Sequence, residues 1–399
     1  MMKTRYYAAA AVICILTLLA FALASGWFSR TSPDSSLNVG FIYSEDESTP
    51  YTYNFTQGQR ALAETYGSRV KVFVQSNVNG REAEEPIRDL VRKGCRLIFM
   101  NLDTDAAARL CGEFPEVQFC QVSLPTIDPT GLPENYHTFN GEIYQARYAA
   151  GVAAGMKLRA LIDTGAIQAE DASVGFVAAN NSAEVVSGYT AFILGVRSAA
   201  PEAVLRVRYT GSWSNYSVEK STANELIDEG CVVIAQHTNT MAPAIACEEA
   251  AAKGIRVYHV GYHQSMMDVA PSTALVSLRT NWTPYILSAT EAVLDGHSIE
   301  STVAGHVHGR DISAGFDQNW VQLLELNKQL AAPGTEDRLN RVTDSLRKGK
   351  TEVFKGNYTG VNPDDPSDTI DLNQGYRENE NSSSPSFRYI LQDCVIEEN

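Results

Sequence analysis

The side chains with chemistry to offer gather in short clusters, each just past an apolar run. Tyr51-Thr52-Tyr53-Asn54 follows an acidic stretch, Glu45-Asp46-Glu47, and Asn101-Leu102-Asp103-Thr104 follows Cys95–Met100. Farther on come Asn180-Asn181, Ser212-Trp213-Ser214, Gln236-His237-Thr238-Asn239 and Gly261-Tyr262-His263-Gln264. Outside the acidic stretch these clusters are mostly rings and neutral donors or acceptors. Aromatic faces stack on flat molecules, and Asn, Gln and Thr read a polar edge. The composition therefore points to recognition of a flat, uncharged, polar-edged ligand, with Tyr51, Thr52, Asn54 and Asn181 among the candidate contacts. Structural alternatives stand beside these roles. Trp213 suits a core ring, His237 a satisfied structural histidine, Asn181 the neighbour of a helix cap and Arg147 a structural partner.

Catalytic patterns are missing. No G-x-S-x-G elbow and no Gly-rich phosphate loop occurs. His306-Val307-His308 puts two imidazoles on one face of a strand, but no third ligand lies nearby, so no metal and no cofactor are expected. The reading is a binder, not an enzyme.

The elements that position the clusters are strands alternating with helices, the signature of parallel sheets covered on both faces. In such sheets ligands bind beyond the carboxyl ends of the strands, where the clusters fall. The order also recurs. Val39-Gly40-Phe41-Ile42 is echoed by Val174-Gly175-Phe176-Val177, and Leu90 to Cys95 by Leu226 to Cys231, at nearly equal separations. The expected fold is α/β with two similar lobes, each a mainly parallel sheet flanked by helices. Lobe one is expected over 37–142 with a return segment around 279–300, and lobe two over 143–278. Elements associated with the lobes follow over 301–360. The segment 361–399, rich in Asn, Asp, Ser and Pro, is expected to be an acidic polar tail, loop-like until a last strand over Phe387–Val395.

The start differs from the rest. Lys3 and Arg5 precede an apolar run from Ala8 to Leu23 broken by Thr17, and Ala22-Leu23-Ala24 has signal-peptidase spacing. Residues 1–24 are read as a signal peptide or an N-terminal anchor, and 25–36 as a linker. Both readings place the remainder outside the cytoplasm. That compartment permits disulfides, but no C-x-x-C pair occurs, and Cys95, Cys120 and Cys231 read as small buried hydrophobes. A formal net charge of −15 with no dense basic stretch excludes a nucleic-acid surface.

Several stretches resemble the basic membrane protein (BMP) family of ABC-transporter substrate-binding proteins, which includes purine nucleoside receptors. They are Thr52-Tyr53, Gln57-Gly58, Gly141 to Gly151, Gly211-Ser212-Trp213, Glu219-Lys220, Leu226 to Gly230, Gln236-His237-Thr238, Gly261-Tyr262 and Asn281 to Tyr285. The resemblance implies a type I periplasmic-binding fold and import of a nucleoside or related solute. It implies that Tyr51 stacks on a base, that Trp213 is a second ring, and that Gln236, His237, Asn239, Gly261, Tyr262 and His263 supply edge contacts. The chain departs from the family at Asn239 and His263, where many members carry Asp. Arg279 falls where nucleoside binders carry a ribose-gripping Lys. Loss of a carboxylate at His263 raises a free nucleobase as ligand. The expected partners are a purine nucleoside or nucleobase and a membrane ABC permease, with the chain a monomer. The alternatives are a membrane-anchored sensor built on the same lobes and an exported nucleoside-processing enzyme.

Overall fold

The computed structural model describes residues 36–123 and 131–398. The export segment expected over residues 1–24 lies outside them. Strand β1 (Leu37–Ile42) leads through helix α1 (Pro50–Tyr66) to β2 (Val70–Gln75). Helix α2 (Glu84–Arg92), β3 (Cys95–Met100), α3 (Ala106–Leu110), β4 (Gln118–Val122) and β5 (Tyr136–Gly141) follow. After helix α4 (Ile143–Asp163) the plan repeats as β6 (Ser173–Ala178), α5 (Ala183–Arg197), β7 (Val204–Tyr209), α6 (Tyr216–Asp228) and β8 (Val233–His237). It continues through α7 (Ala242–Ala252), β9 (Tyr258–Tyr262) and β10 (Ala274–Thr280). The strand orders are β2-β1-β3-β4-β5 and β7-β6-β8-β9-β10, the same topology twice.

The repeat has a packing reason. Gly40 in β1 and Gly175 in β6 lie under Leu90 of α2 and Leu226 of α6. A Cβ on Gly40 would come within 2.7 Å of Leu90 Cδ1, and one on Gly175 within 2.9 Å of Leu226 Cβ. Each helix then stops at a glycine with positive φ, Gly94 at 78° and Gly230 at 88°, a backbone state that Gly adopts without a Cβ penalty. The following Cys95 and Cys231 are buried, as are the other four cysteines beyond residue 36, and none of the six forms a disulfide.

The chain crosses between the sheets three times. It leaves sheet one after β5, and α4 packs on β10 and α5 in the second lobe. It returns after β10, and α8 (Thr283–Asp295) packs on α1. Helix α9 (Ile299–Thr302) leads to β11 (His306–His308) and β12 (Asp311–Ala314), which extend sheet one beyond β5. The third crossing brings β13 (Val321–Leu323) antiparallel onto β10. The crossings touch. A Cβ on Gly141 would lie 2.5 Å from Thr280 Cγ2 and 3.3 Å from the Trp320 carbonyl oxygen, and Asn281 N–H donates to that oxygen at 2.6 Å.

The C-terminal part departs from expectation. Helix α10 (Thr335–Arg347) precedes β14 (Thr359–Asn362), β15 (Asp365–Asp371) and β16 (Ile390–Leu391), a small antiparallel sheet, and β17 (Val395–Glu398) extends sheet two beside β7. Its apolar anchors Phe354, Leu372, Phe387 and Leu391 join the lobe-two core, with Phe354 and Phe387 stacked at 4.7 Å. These anchors are far apart in sequence, and β15 is polar and largely exposed. No period-2 pattern therefore betrays the strands. The single strand expected over Phe387–Val395 is broken by a turn into β16 and β17.

Candidate functional site

A cavity of about 680 Å³ lies between the strand tips of the two sheets. Ser44, Glu45, Tyr51, Asn101 and Asp103 line it from lobe one. Ser182, Glu184, Trp213, His237, Asn239, Tyr262 and His263 line it from lobe two, and Thr280 and Trp282 come from a crossing. The size suits a small organic ligand. A shallower hollow of about 470 Å³ between β13 and α10 is lined by Leu323, Leu324 and Leu339, and holds none of the expected ligand residues.

The rings form a continuous line. Tyr51, in the first turn of α1, has its ring centroid 5.1 Å from that of His263. His263 stacks on Tyr262 at 3.5 Å, and His237 meets Tyr262 edge-on at 4.9 Å. Trp213 meets His237 at 5.8 Å. The Tyr51 hydroxyl donates to the Asn101 carbonyl oxygen at 3.2 Å, which fixes its ring. Burial, then the Glu184 carboxylate, pushes its phenol well above the usual range, so it stays protonated.

Arg147 sets the lobe-two end. Its guanidinium is fully buried, donates from Nη1 to the Gln236 carbonyl oxygen at 2.7 Å and lies 4.0 Å from the Tyr262 ring centroid. Burial pulls it down to about 10, which still leaves it charged at neutral pH. Burial, with Arg147 beside it, holds His237 well below its ordinary value, and burial, His237 and Arg147 do the same for His263. Both rings are therefore neutral. His263 has φ of 70°, uncommon for a residue with a Cβ. Its Nε2 sits 3.1 Å from Asn239 Oδ1. In the neutral ring Nε2–H donates there and Nδ1 is left as an acceptor.

Several polar atoms around the cavity are buried without a partner. They are Glu45 Oε2, Asn101 Nδ2, Ser182 Oγ, His263 Nδ1 and Trp282 Nε1. The Asn101 amide orientation is fixed, because Oδ1 accepts Ser44 N–H at 3.0 Å and Nδ2 must be the free donor. Each unmet group costs about 1–3 kcal/mol. Together they are donors and acceptors that a polar-edged ligand can satisfy. The charged groups lining the cavity are the carboxyls Glu45, Asp103 and Glu184, with no Lys or Arg among the described lining residues. Burial raises the Glu184 carboxyl to about 7, opposed by Arg147.

Of the expected ligand residues, Tyr51, Trp213, His237, Asn239, Tyr262 and His263 line this one cavity. The others do not. Asn54 is buried and donates Nδ2 to the Thr280 carbonyl oxygen at 2.6 Å, tying α1 to a crossing. Thr52, one residue past Tyr51 on the helix, is fully buried away from the lining. Gln236 braces its own loop, donating to the carbonyl oxygens of Thr238 at 3.0 Å and Thr240 at 2.8 Å. Gly261 backs onto Ser277 and Met266. Arg279 bonds Gln322 from Nε at 2.8 Å, and Asn181 is exposed between lining residues Asn180 and Ser182. His306 bonds Glu142 at 2.6 Å, and no His, Cys, Asp or Glu cluster among the described residues has the makings of a metal site. Lining residues outside the selected set include Glu45, Asn101, Glu184 and Trp282. Asn101 follows a strand end and was legible by that rule, whereas Glu184 is hidden in the first turn of an ordinary helix.

Comparison with known proteins matches residues 38–348 to the family of PnrA-like ABC transporter substrate-binding proteins. A purine-binding protein of Brucella abortus is 30% identical over 269 residues, 66% of this chain and 70% of that protein. A putative ABC transporter glucose-binding protein of Haloferax volcanii is 34% identical over 224 residues, 56% of this chain and 52% of that protein. The crystal structure of an ABC transporter solute-binding protein from Aeropyrum pernix superposes with a TM-score of 0.64 at 14% identity, covering 83% of this chain and 95% of that one. The fold is thus the two-lobed, type I-like fold of periplasmic binding proteins.

Proposed function

The chain belongs to the family of PnrA-like ABC transporter substrate-binding proteins, and from that premise we propose that it captures a purine, as nucleobase or nucleoside, for delivery to a membrane permease. The observation that carries this reading is one cavity in which Tyr51 of lobe one and Trp213 of lobe two both take part, among buried donors and acceptors without partners. A planar heterocycle meets both demands. Its faces stack on rings, and its edge nitrogens and oxygens pair with Asn101 Nδ2, His263 Nδ1 and the carboxylates. The free base is favoured over the nucleoside, since position 263 offers a neutral imidazole in place of a carboxylate and Arg279 bonds Gln322 outside the cavity lining.

Binding works by closure. Ligand contacts one lobe in the open form and both in the closed form, so it shifts the hinge equilibrium by its differential affinity for the two. No bond is made or broken in this scheme, and incubation with inosine is expected to release no free base. Placement outside the cytoplasm follows the family's role beside a permease. The test is a thermal-shift screen across nucleobases, nucleosides, sugars and amino acids. At about 100 times its dissociation constant a true ligand stabilises by about 2.7 kcal/mol. Purines are expected to give the largest shift. Glucose or another sugar producing it would overturn the purine reading.

A further inference from the structure

We propose that the C-terminal segment is a latch that clamps the two lobes together at the edge of the cleft. Residues 349–398 lie beyond the span matched to the family. They are anchored to lobe two, through β17 on β7 and through Phe387 and Leu391 in its core. From that anchor the loop before Phe387 reaches over to lobe one and closes on Asp311, the first residue of β12, only 1% exposed.

The clamp is built from hydrogen bonds onto one carboxylate. Ser383 donates from its backbone N–H to Oδ2 and from its hydroxyl to Oδ1, each at 2.5 Å, and the Ser382 hydroxyl donates to Oδ2 at 3.1 Å. On the lobe-one side, Thr138 of β5 donates to Oδ1 at 2.7 Å and Ser123, which lines the cavity, at 3.1 Å. The Ser123 and Ser383 hydroxyls also lie within hydrogen-bond reach of each other, so their two protons serve two of these three contacts at a time. The loop arrives preformed. Asn379, at φ of 58°, donates its amide to the carbonyl oxygens of Ser382 at 3.0 Å and Ser383 at 2.7 Å. Glu378 accepts the backbone N–H of Ser386 at 2.8 Å and of Phe387 at 3.1 Å.

The three covalent crossings allow a hinge, and the latch is a fourth, breakable link. Hydrogen bonds of this length do not survive a separation of more than about 1 Å. Opening the cleft therefore requires Ser382 and Ser383 to leave Asp311. Their release leaves a buried carboxylate partly unsatisfied, which favours the closed form even without ligand.

The test needs no ligand. The Asp311→Asn variant turns an acceptor into an NH2 that faces Ser donors, and a Ser382→Ala/Ser383→Ala double variant removes the hydroxyls from the other side. Small-angle scattering of the ligand-free full chain is expected to give a larger radius of gyration for both variants than for wild type. Amide exchange at 382–384 is expected to speed up at least about tenfold, with β16 and β17 unchanged. Unchanged scattering in the double variant would overturn the latch. So would opening in Asp311→Asn alone, which would place the effect in sheet one. If Asp311→Asn fails to fold by circular dichroism, the double variant decides. Failure of the purine screen would leave this result untouched.

Discussion

At the scale of single residues, the site trades charge for shape. Tyr51 offers a ring whose hydroxyl is already engaged with Asn101, so its remaining contribution is the face. Base–aromatic stacking contributes about 1–3 kcal/mol per base. Replacing Tyr51 by Ala is therefore expected to raise the purine dissociation constant roughly 5- to 150-fold by calorimetry, and Tyr51→Phe far less. Buried histidines give the molecule an acid limit. Burial takes His259 down to about 3 and holds His237 and His263 well below their ordinary value. Below about pH 6.5 the unfolded chain binds protons at these sites that the folded chain does not. Stability is then lost as pH falls, by up to about 1.4 kcal/mol per pH unit for each group. Glu184, raised to about 7, acts with the opposite sign, favouring the folded state at low pH and losing that contribution as pH rises toward 7. His259→Gln, outside the cavity, is expected to flatten the decline of melting temperature between pH 6.5 and 5, and an unchanged slope would remove the histidine explanation.

At the scale of elements, what the sequence revealed and what it hid have physical causes. The alternation of strands and helices was legible because each element buries a periodic face, and the lobe repeat because Gly40 and Gly175 answer the same packing demand. The strand-end rule located the cavity, since chain direction in a parallel sheet is fixed by the pattern. It did not tell which residue of a cluster turns inward. Tyr51 faces the cavity while Thr52 is buried outside its lining and Asn54 reaches the Thr280 carbonyl oxygen at a crossing, and His237 lines it while Gln236 points into its own loop. Adjacent residues on a strand or helix point differently, and the phase is set by packing that the sequence does not state. The C-terminal sheet was illegible because its core is assembled from residues distant in sequence. The helix stops can be tested. Gly230 sits at φ of 88° with nothing within 4 Å of a built Cβ, so Gly230→Ala carries backbone strain and no clash. It is expected to destabilise lobe two by about 1 kcal/mol in urea titration, with the purine dissociation constant unchanged.

At the scale of the whole molecule, the proposed closure would turn on three crossings that pack against one another at Gly141. A methyl at that position would lie 2.5 Å from Thr280 Cγ2 and 3.3 Å from the Trp320 carbonyl oxygen, so all three crossings meet around one missing side chain. The Thr280 carbonyl oxygen is also the acceptor for Asn54 of α1, so a shift at the crossing is passed to the helix that carries Tyr51. Gly141→Ala is thus expected to lower both stability, by about 1–3 kcal/mol, and affinity for a purine, although position 141 does not line the cavity. The closest contact is a methyl, and Thr280→Ser deletes it while keeping the hydroxyl. Combining the two changes should restore part of what Gly141→Ala loses, with a coupling of about 0.5–3 kcal/mol in a double-mutant cycle read by both melting temperature and calorimetry. Coupling in stability alone would mean that Gly141 merely fills the core. Coupling in affinity as well is what a hinge predicts, because the energy to bring the lobes together is subtracted from every binding event. Independent, additive effects would show that the crossings do not work as one joint.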